Sequence, residues 1–280
     1  MHRFYIVSMW LLLFSAAQPC LAQLKDTTGP FTIQPLFPQF LRPGDAVELQ
    51  AQVIAKDTAE RTGQVSLQLM DAASNNAVDG WFNNIFPTQY FTAGPQSEAA
   101  LRFPVTVPVQ PNAQVNWQLM LASDSLQQQA SGTINILSQP RAQALPKGFV
   151  LHKKFFRISG KASTQPITSY TTLKLQDTVQ VVLTITTAKP LQEVTVVDGA
   201  PAVLHTLTHP ASAGKKLSYD SVPGGMRLRM PLLAAGTHRI MYCTQARYIG
   251  SFSAGYLQLE STSLKAPLVG TTDLILQVTE

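Results

Sequence analysis

The groups able to do chemistry are few and scattered. His205 and His209 stand four residues apart, the spacing that would put two metal ligands on one face of a helix. They lie, however, in Leu-His-Thr-Leu-Thr-His-Pro-Ala-Ser (204–212), where the threonines and Pro210 oppose a helix. No carboxylate or cysteine completes a ligand set there, so both read as ordinary loop histidines. A Ser/His/Asp triad would have to be assembled across distant strands, because the chain has no Gly-x-Ser-x-Gly turn to expose a nucleophile. Paired carboxylates for sugar hydrolysis have little support: acidic residues are sparse, and Asp45, Asp71 and Asp177 occupy expected turn positions. Phosphate-cradling glycine loops are absent, and Pro223-Gly224-Gly225 reads as a hairpin turn before Met226-Arg227-Leu228. Cys243, within Ile240-Met241-Tyr242-Cys243, reads as a buried, inert strand thiol with no cationic neighbour to activate it. These readings assign no catalytic residue, no metal ligand and no cofactor site.

One other cluster could do something. Trp81, Phe82, Phe86, Tyr90 and Phe91 form the densest aromatic group in the chain. Read functionally, they are an exposed platform for a glycan or a protein partner. Read structurally, they are core residues of strands flanking Pro87, and the usual fate of such rings favours that reading.

The composition narrows the class of protein. The sequence has 280 residues, 45% of them hydrophobic and only 13% charged, with a formal net charge of +5. No Lys/Arg run exceeds Lys153-Lys154 or Lys215-Lys216, so the chain lacks the electrostatic footprint of a nucleic-acid binder. Nineteen prolines and sixteen glycines punctuate it and oppose long helices. A basic start (His2-Arg3), an apolar run (Tyr5 to Phe14) and small residues up to Cys20-Leu21-Ala22 follow the order of a secretory signal, with cleavage expected after Ala22. Lipidation at Cys20 is the lesser alternative, since Ala17-Gln18-Pro19 is a poor match to the residues it needs. The apolar run is too short to span a bilayer. The expected product is exported to the periplasm, cell surface or medium. Its single cysteine, Cys243, leaves no internal disulfide.

Holding any surface in place falls to β-strands. Val47, Leu49, Ala51 and Val53 alternate with Glu48, Gln50 and Gln52, and segments around 65–69, 103–107, 115–121 and 134–136 repeat the period of two. The pattern stops over Ser138 to Gly148, which is rich in proline and polar residues. It resumes through Leu151, Val179–Ile185, Val194–Val197, Met226–Met230, His238–Tyr242, Leu257–Leu259 and Leu274–Val278. The expected fold is all-β. A signal peptide over 1–22 precedes two β-sandwiches in tandem, over 23–138 and 149–280, joined by a linker over 139–148.

Certain motifs go further. Phe37-Pro38-Gln39-Phe40-Leu41-Arg42-Pro43-Gly44-Asp45 resembles the turn that opens a strand in bacterial alpha-2-macroglobulin-like proteins. Gly63 to Asp71, Val78-Asp79 before Trp81-Phe82-Asn83, Gln89-Tyr90-Phe91-Thr92 and Val115-Asn116-Trp117 fit the same macroglobulin-type sandwich. In the second half, Leu175-Gln176-Asp177-Thr178-Val179, Leu191 to Asp198, Leu233 to His238 and Ala246 to Phe252 resemble the C-terminal domain of that family. The resemblance implies a shortened relative with macroglobulin- or immunoglobulin-like sandwiches. Family members trap proteases, many through a Cys-x-Glu-Gln thioester. Here Cys243 is followed by Thr244-Gln245-Ala246, so the expectation is a non-catalytic binding or scaffold protein without thioester chemistry. Its expected partner is an exported or envelope protein. A non-covalent endopeptidase inhibitor, with a protease as partner, is the alternative, and an enzyme assembled across strands is the third reading.

Overall fold

The computed structural model describes residues 23–25, 29–56, 58–109, 113–123, 126–160, 163–211 and 217–280. The expected signal peptide, Met1 to Ala22, lies outside them. In chain order the first strands are β1 (Gln23–Lys25), β2 (Phe31–Leu36), β3 (Phe40–Leu41), β4 (Ala46–Ala55), β5 (Arg61–Asp71), β6 (Thr88–Ala93), β7 (Glu98–Thr106), β8 (Ala113–Ser123) and β9 (Leu126–Ile136). No strand occupies 138–148. Then come β10 (Phe149–Ser159), β11 (Ser163–Pro166), β12 (Thr172–Lys174), β13 (Thr178–Thr187), β14 (Leu191–Gly199), β15 (Leu204–Thr206) and β16 (Ser218–Val222). The chain finishes with β17 (Gly225–Leu233), β18 (Gly236–Ala246), β19 (Gly250–Ser253), β20 (Tyr256–Glu260), β21 (Leu268–Thr271) and β22 (Ile275–Thr279). The described residues contain no helix, and the fold is all-β.

The strands form because their apolar residues recur every second position. β4 and β13 alternate inward and outward positions along their whole length. Four sheets result. The first runs β1-β9-β8-β5-β6, with β3 parallel to β9. It packs on the sheet containing β2, β4 and β7. Phe31 of β2 meets Phe91 of β6 edge-to-face across that core, with ring centroids 5.3 Å apart. In the second half, sheet β11-β10-β13-β18-β15 packs on sheet β16-β17-β14-β20-β21. Fully buried side chains such as Phe103, Leu119, Phe155, Leu183 and Leu228 fill the cores, each contributing roughly 1.5–3 kcal/mol.

The halves do not merely follow one another. The sheet of β2, β4 and β7 continues into β19, β22 and β12, which come from beyond residue 148. β4 makes this possible by dividing one edge. Its residues 50–55 pair with β2, while Ala46 and Val47 pair with Ser251 and Gly250 of β19. Its other edge is given to β7. Gly250 (φ 143°) is required at this crossing, because a Cβ there would lie 2.1 Å from the Ala46 carbonyl oxygen.

Candidate binding surface

A buried polar network fastens the seam between the halves. Arg42, 1% exposed, sits in the turn before β4. Its Nε and Nη2 donate to the Ala200 carbonyl at 3.2 and 3.1 Å, and Nη2 donates to the Gly224 carbonyl at 3.0 Å. The guanidinium also lies over the rings of Phe40 and Tyr256, at 5.6 and 5.3 Å from their centroids. Asp45 closes the Arg42 turn by accepting from the Arg42 N–H, and its other oxygen accepts from the Ser253 N–H, both at 2.8 Å. Burial pushes the Asp45 carboxyl up to about 6, against the pull of those two N–H groups and of Arg42. The Arg42 guanidinium is shifted down by desolvation.

A second buried set lies inside the β10–β21 sandwich. Lys153 Nζ donates to Asp198 at 2.5 Å and to the Gly199 carbonyl at 3.0 Å, and the Tyr242 hydroxyl donates to the other Asp198 oxygen. Desolvation lowers the Lys153 ammonium and raises the Tyr242 phenol well above its ordinary value. The Lys153 and Asp198 side chains are 2% and 0% exposed, and the set serves as an internal brace.

The surface that can meet a partner is the loop between β5 and β6. It runs Asp79-Gly80-Trp81-Phe82-Asn83-Asn84-Ile85-Phe86-Pro87. Trp81, Ile85 and Phe86 are 58, 65 and 60% exposed. Their backbone is nevertheless fixed. Asp79 Oδ1 accepts from the Leu69 N–H at 3.1 Å and from Asn84 Nδ2 at 2.7 Å, and Asn84 Nδ2 also reaches the Leu67 carbonyl at 3.3 Å. The Phe82 carbonyl accepts from the Thr106 N–H of β7 at 2.8 Å. Asn83 takes the left-handed conformation, φ 54°, that reverses the chain. Ile85 and Phe86 border a groove of about 280 Å³ floored by β4, β7 and Gly250-Ser251 of β19.

The aromatic cluster read from the sequence is therefore divided. Trp81 and Phe86 on the loop, and Tyr90 on β6 at 79% exposure, face solvent, contrary to the core reading favoured for them. Phe82 and Phe91, 5 and 6% exposed, are corrected out of any contact patch. Phe91 has the inward parity of β6, and the Phe82 ring turns under the loop whose carbonyl holds β7. The period of two along β6 sends Tyr90 and Phe91 to opposite sides, and the turn before it does the same for Trp81 and Phe82. His205 lies on strand β15, and His209 lies beyond it, hydrogen-bonded to Tyr219, so the pair shares no helix face. Cys243 is half-buried rather than buried, because Tyr242 and Thr244 take the inward positions of β18. Asp71 and Asp177 close turns through the Ser74 and Lys174 N–H groups, and Val222 pairs with Gly225 around the Pro223-Gly224 hairpin. Sequence reasoning missed Arg42, Lys153 and Asp198. The signal was present: Lys153 shares the parity of Leu151 and Phe155, and Asp198 that of Val194 and Val196.

No family model matches the chain, and no curated protein matches it. Among solved structures it is similar to Salmonella alpha-2-macroglobulin reacted with methylamine, at 15% identity and a TM-score of 0.42 over 78% of this chain and 13% of that one. Native alpha-2-macroglobulin from Escherichia coli, spanning domain MG7 to the C-terminus, aligns at 15% identity and a TM-score of 0.38, covering 77% and 33%. Red sea bream transglutaminase aligns at 10% identity and a TM-score of 0.29, covering 91% and 32%. The chain thus spans between about an eighth and a third of the length of these proteins. With every one of these scores below 0.5, the all-β assignment rests on the strand pairing described above.

Proposed function

We propose that this chain is an exported, non-catalytic binding or scaffold protein, related to the bacterial alpha-2-macroglobulins, that works through protein–protein contacts. The observation that carries the reading is the loop of Asp79 to Pro87. It holds Trp81, Ile85 and Phe86 outward on a backbone already fixed by Asp79 and Asn84. Large rings on a rigid support are what contact hot spots require: they bring much apolar area to the partner and lose little conformational freedom on docking. The resemblance of the Phe37–Asp45 and Ala246–Phe252 motifs supports the relationship, and the sequence contains no Cys-x-Glu-Gln from which a thioester could form.

The test is co-purification from the envelope with a Trp81→Ala/Phe86→Ala chain as comparator. Loss of a specific protein from the variant, with unchanged melting temperature, supports the reading. A partner set identical for both chains refutes the loop as the contact.

A further inference from the structure

The outward face of the first sheet differs from those of the other three. Along β5, β6, β8 and β9 the outward positions hold only Gln, Asn, Ser, Thr, Ala, Met and Tyr, with no Asp, Glu, Lys or Arg, and the one cation that the register sets on this face is Lys25 of the edge strand β1, opposite Gln129. At the chain's own 13% share of charged residues, a face of this size would carry about two. The other outward faces do: Glu48 and Arg102 on the sheet of β4, Lys154 and Arg239 on that of β10, Arg227 and Glu260 on that of β14.

This neutral face is also grooved. One depression of about 540 Å³ runs past Thr62, Gln64, Tyr90, Thr92 and Ala122. A second, of about 570 Å³, continues from Gln64 and Ala122 over Ser66, Met120, Gln127 and Gln129. Among the described residues no charged side chain lines either. Tyr90 stands on the edge strand at 79% exposure, where its ring forms one wall. Gln64 and Ala122 belong to both depressions, so they join into one track across the strands.

We propose that this track binds a neutral polysaccharide chain. Each lining Gln, Ser or Thr both donates and accepts hydrogen bonds, matching hydroxyl groups that do the same. The Tyr90 ring offers an apolar face to a sugar ring and a polar rim to its hydroxyls. A polyanion, whether nucleic acid or acidic glycan, would leave its charges without counterions here. A protein partner would need an apolar centre, which this face lacks apart from the separated Met70, Met120 and Tyr90. The site is separate from the Trp81 loop, and each stands if the other falls.

Affinity electrophoresis of the full chain tests this, in gels containing a soluble β-glucan, α-glucan, galactan or mannan, with alginate as the acidic comparator. At least one neutral polymer retards the protein, equally in 0.05 and 0.5 M NaCl. Tyr90→Ala and, independently, Gln64→Ala weaken that retardation at least tenfold, whereas Trp81→Ala leaves it unchanged. Both altered residues are on the surface, and an unchanged melting temperature establishes that each variant is folded. Three results overturn the proposal: no retardation by any neutral polymer, retardation only by alginate with loss in salt, or retardation unaffected by both Tyr90→Ala and Gln64→Ala.

Discussion

Replacing Arg42 by Met isolates what its charge does at the seam. The methionine keeps an apolar stem against Phe40 and Tyr256 but removes every N–H that reaches Ala200 and Gly224. The Gly224 carbonyl retains the Ala200 N–H at 2.8 Å, so the main loss falls on the Ala200 carbonyl and on Asp45, whose nearby buried cation disappears. A hydrogen bond from a charged donor contributes about 1.5–3 kcal/mol, and breaking a buried charge arrangement by removing one member costs about 3–5 kcal/mol. We expect the variant to lose about 3–5 kcal/mol. With a urea dependence of about 3 kcal/mol/M, the midpoint falls by roughly 1–1.7 M. The assay is urea unfolding followed both by tryptophan fluorescence, which reports Trp81 and Trp117 of the first half, and by far-ultraviolet circular dichroism, which reports both halves. The two transitions coincide in the parent and separate in Arg42→Met, since the sheet crossing at Gly250 then lacks its buried tie. A midpoint shift below about 0.3 M with coincident transitions would refute the reasoning.

Other consequences follow from the same contacts. Because the folded Asp45 carboxyl is raised to about 6 from 3.8, it favours the fold below pH 3.8, and this contribution is lost as pH rises through about 6. Relative to Asp45→Asn, the parent should therefore lose about 2.4 kcal/mol between pH 4 and 7, measured by denaturant titration at each pH. A constant difference would contradict the shift. Lys153→Met leaves Asp198 buried without its cation and should cost roughly 3–5 kcal/mol, while adding Asp198→Ala in that background costs much less than it does alone. Additive losses in that double-mutant cycle would show that the pair is not coupled. At Gly132 an added Cβ would lie 2.5 Å from Trp117 Cζ2, so Gly132→Ala should destabilise by about 1–3 kcal/mol and shift Trp117 emission. An unchanged melting temperature would show that the ring moves freely.

Most strands were legible because one face of each is buried, as in β4, β8, β13 and β18, where alternation alone marks the element. Shorter ones escaped: β12 is three residues long, and β2 contains Pro35. The division of β4 between β2 and β19 was not legible, since it joins Ala46 and Val47 to residues some two hundred positions away and leaves no local period. The same holds for Arg42, which reads as part of a turn motif until Ala200 and Gly224 are brought to it. The aromatic loop misled for a physical reason. Ring composition favours the core, but Asp79, Asn83 and Asn84 build a turn that takes Trp81, Ile85 and Phe86 out of strand parity. The neutral face of β5, β6, β8 and β9 was written in the sequence as low charge, and only the register showed that the Gln, Ser and Thr residues share one surface.

The central claim is that the Asp79–Pro87 loop is the contact for a protein partner. Site-specific photo-crosslinking in intact cells tests it most directly, with the photoreactive side chain placed at Trp81 and, as control, at exposed Lys265. The account predicts one or a few discrete protein adducts from position 81 and none from position 265. Absence of adducts at 81, or the same adducts at both positions, would contradict it.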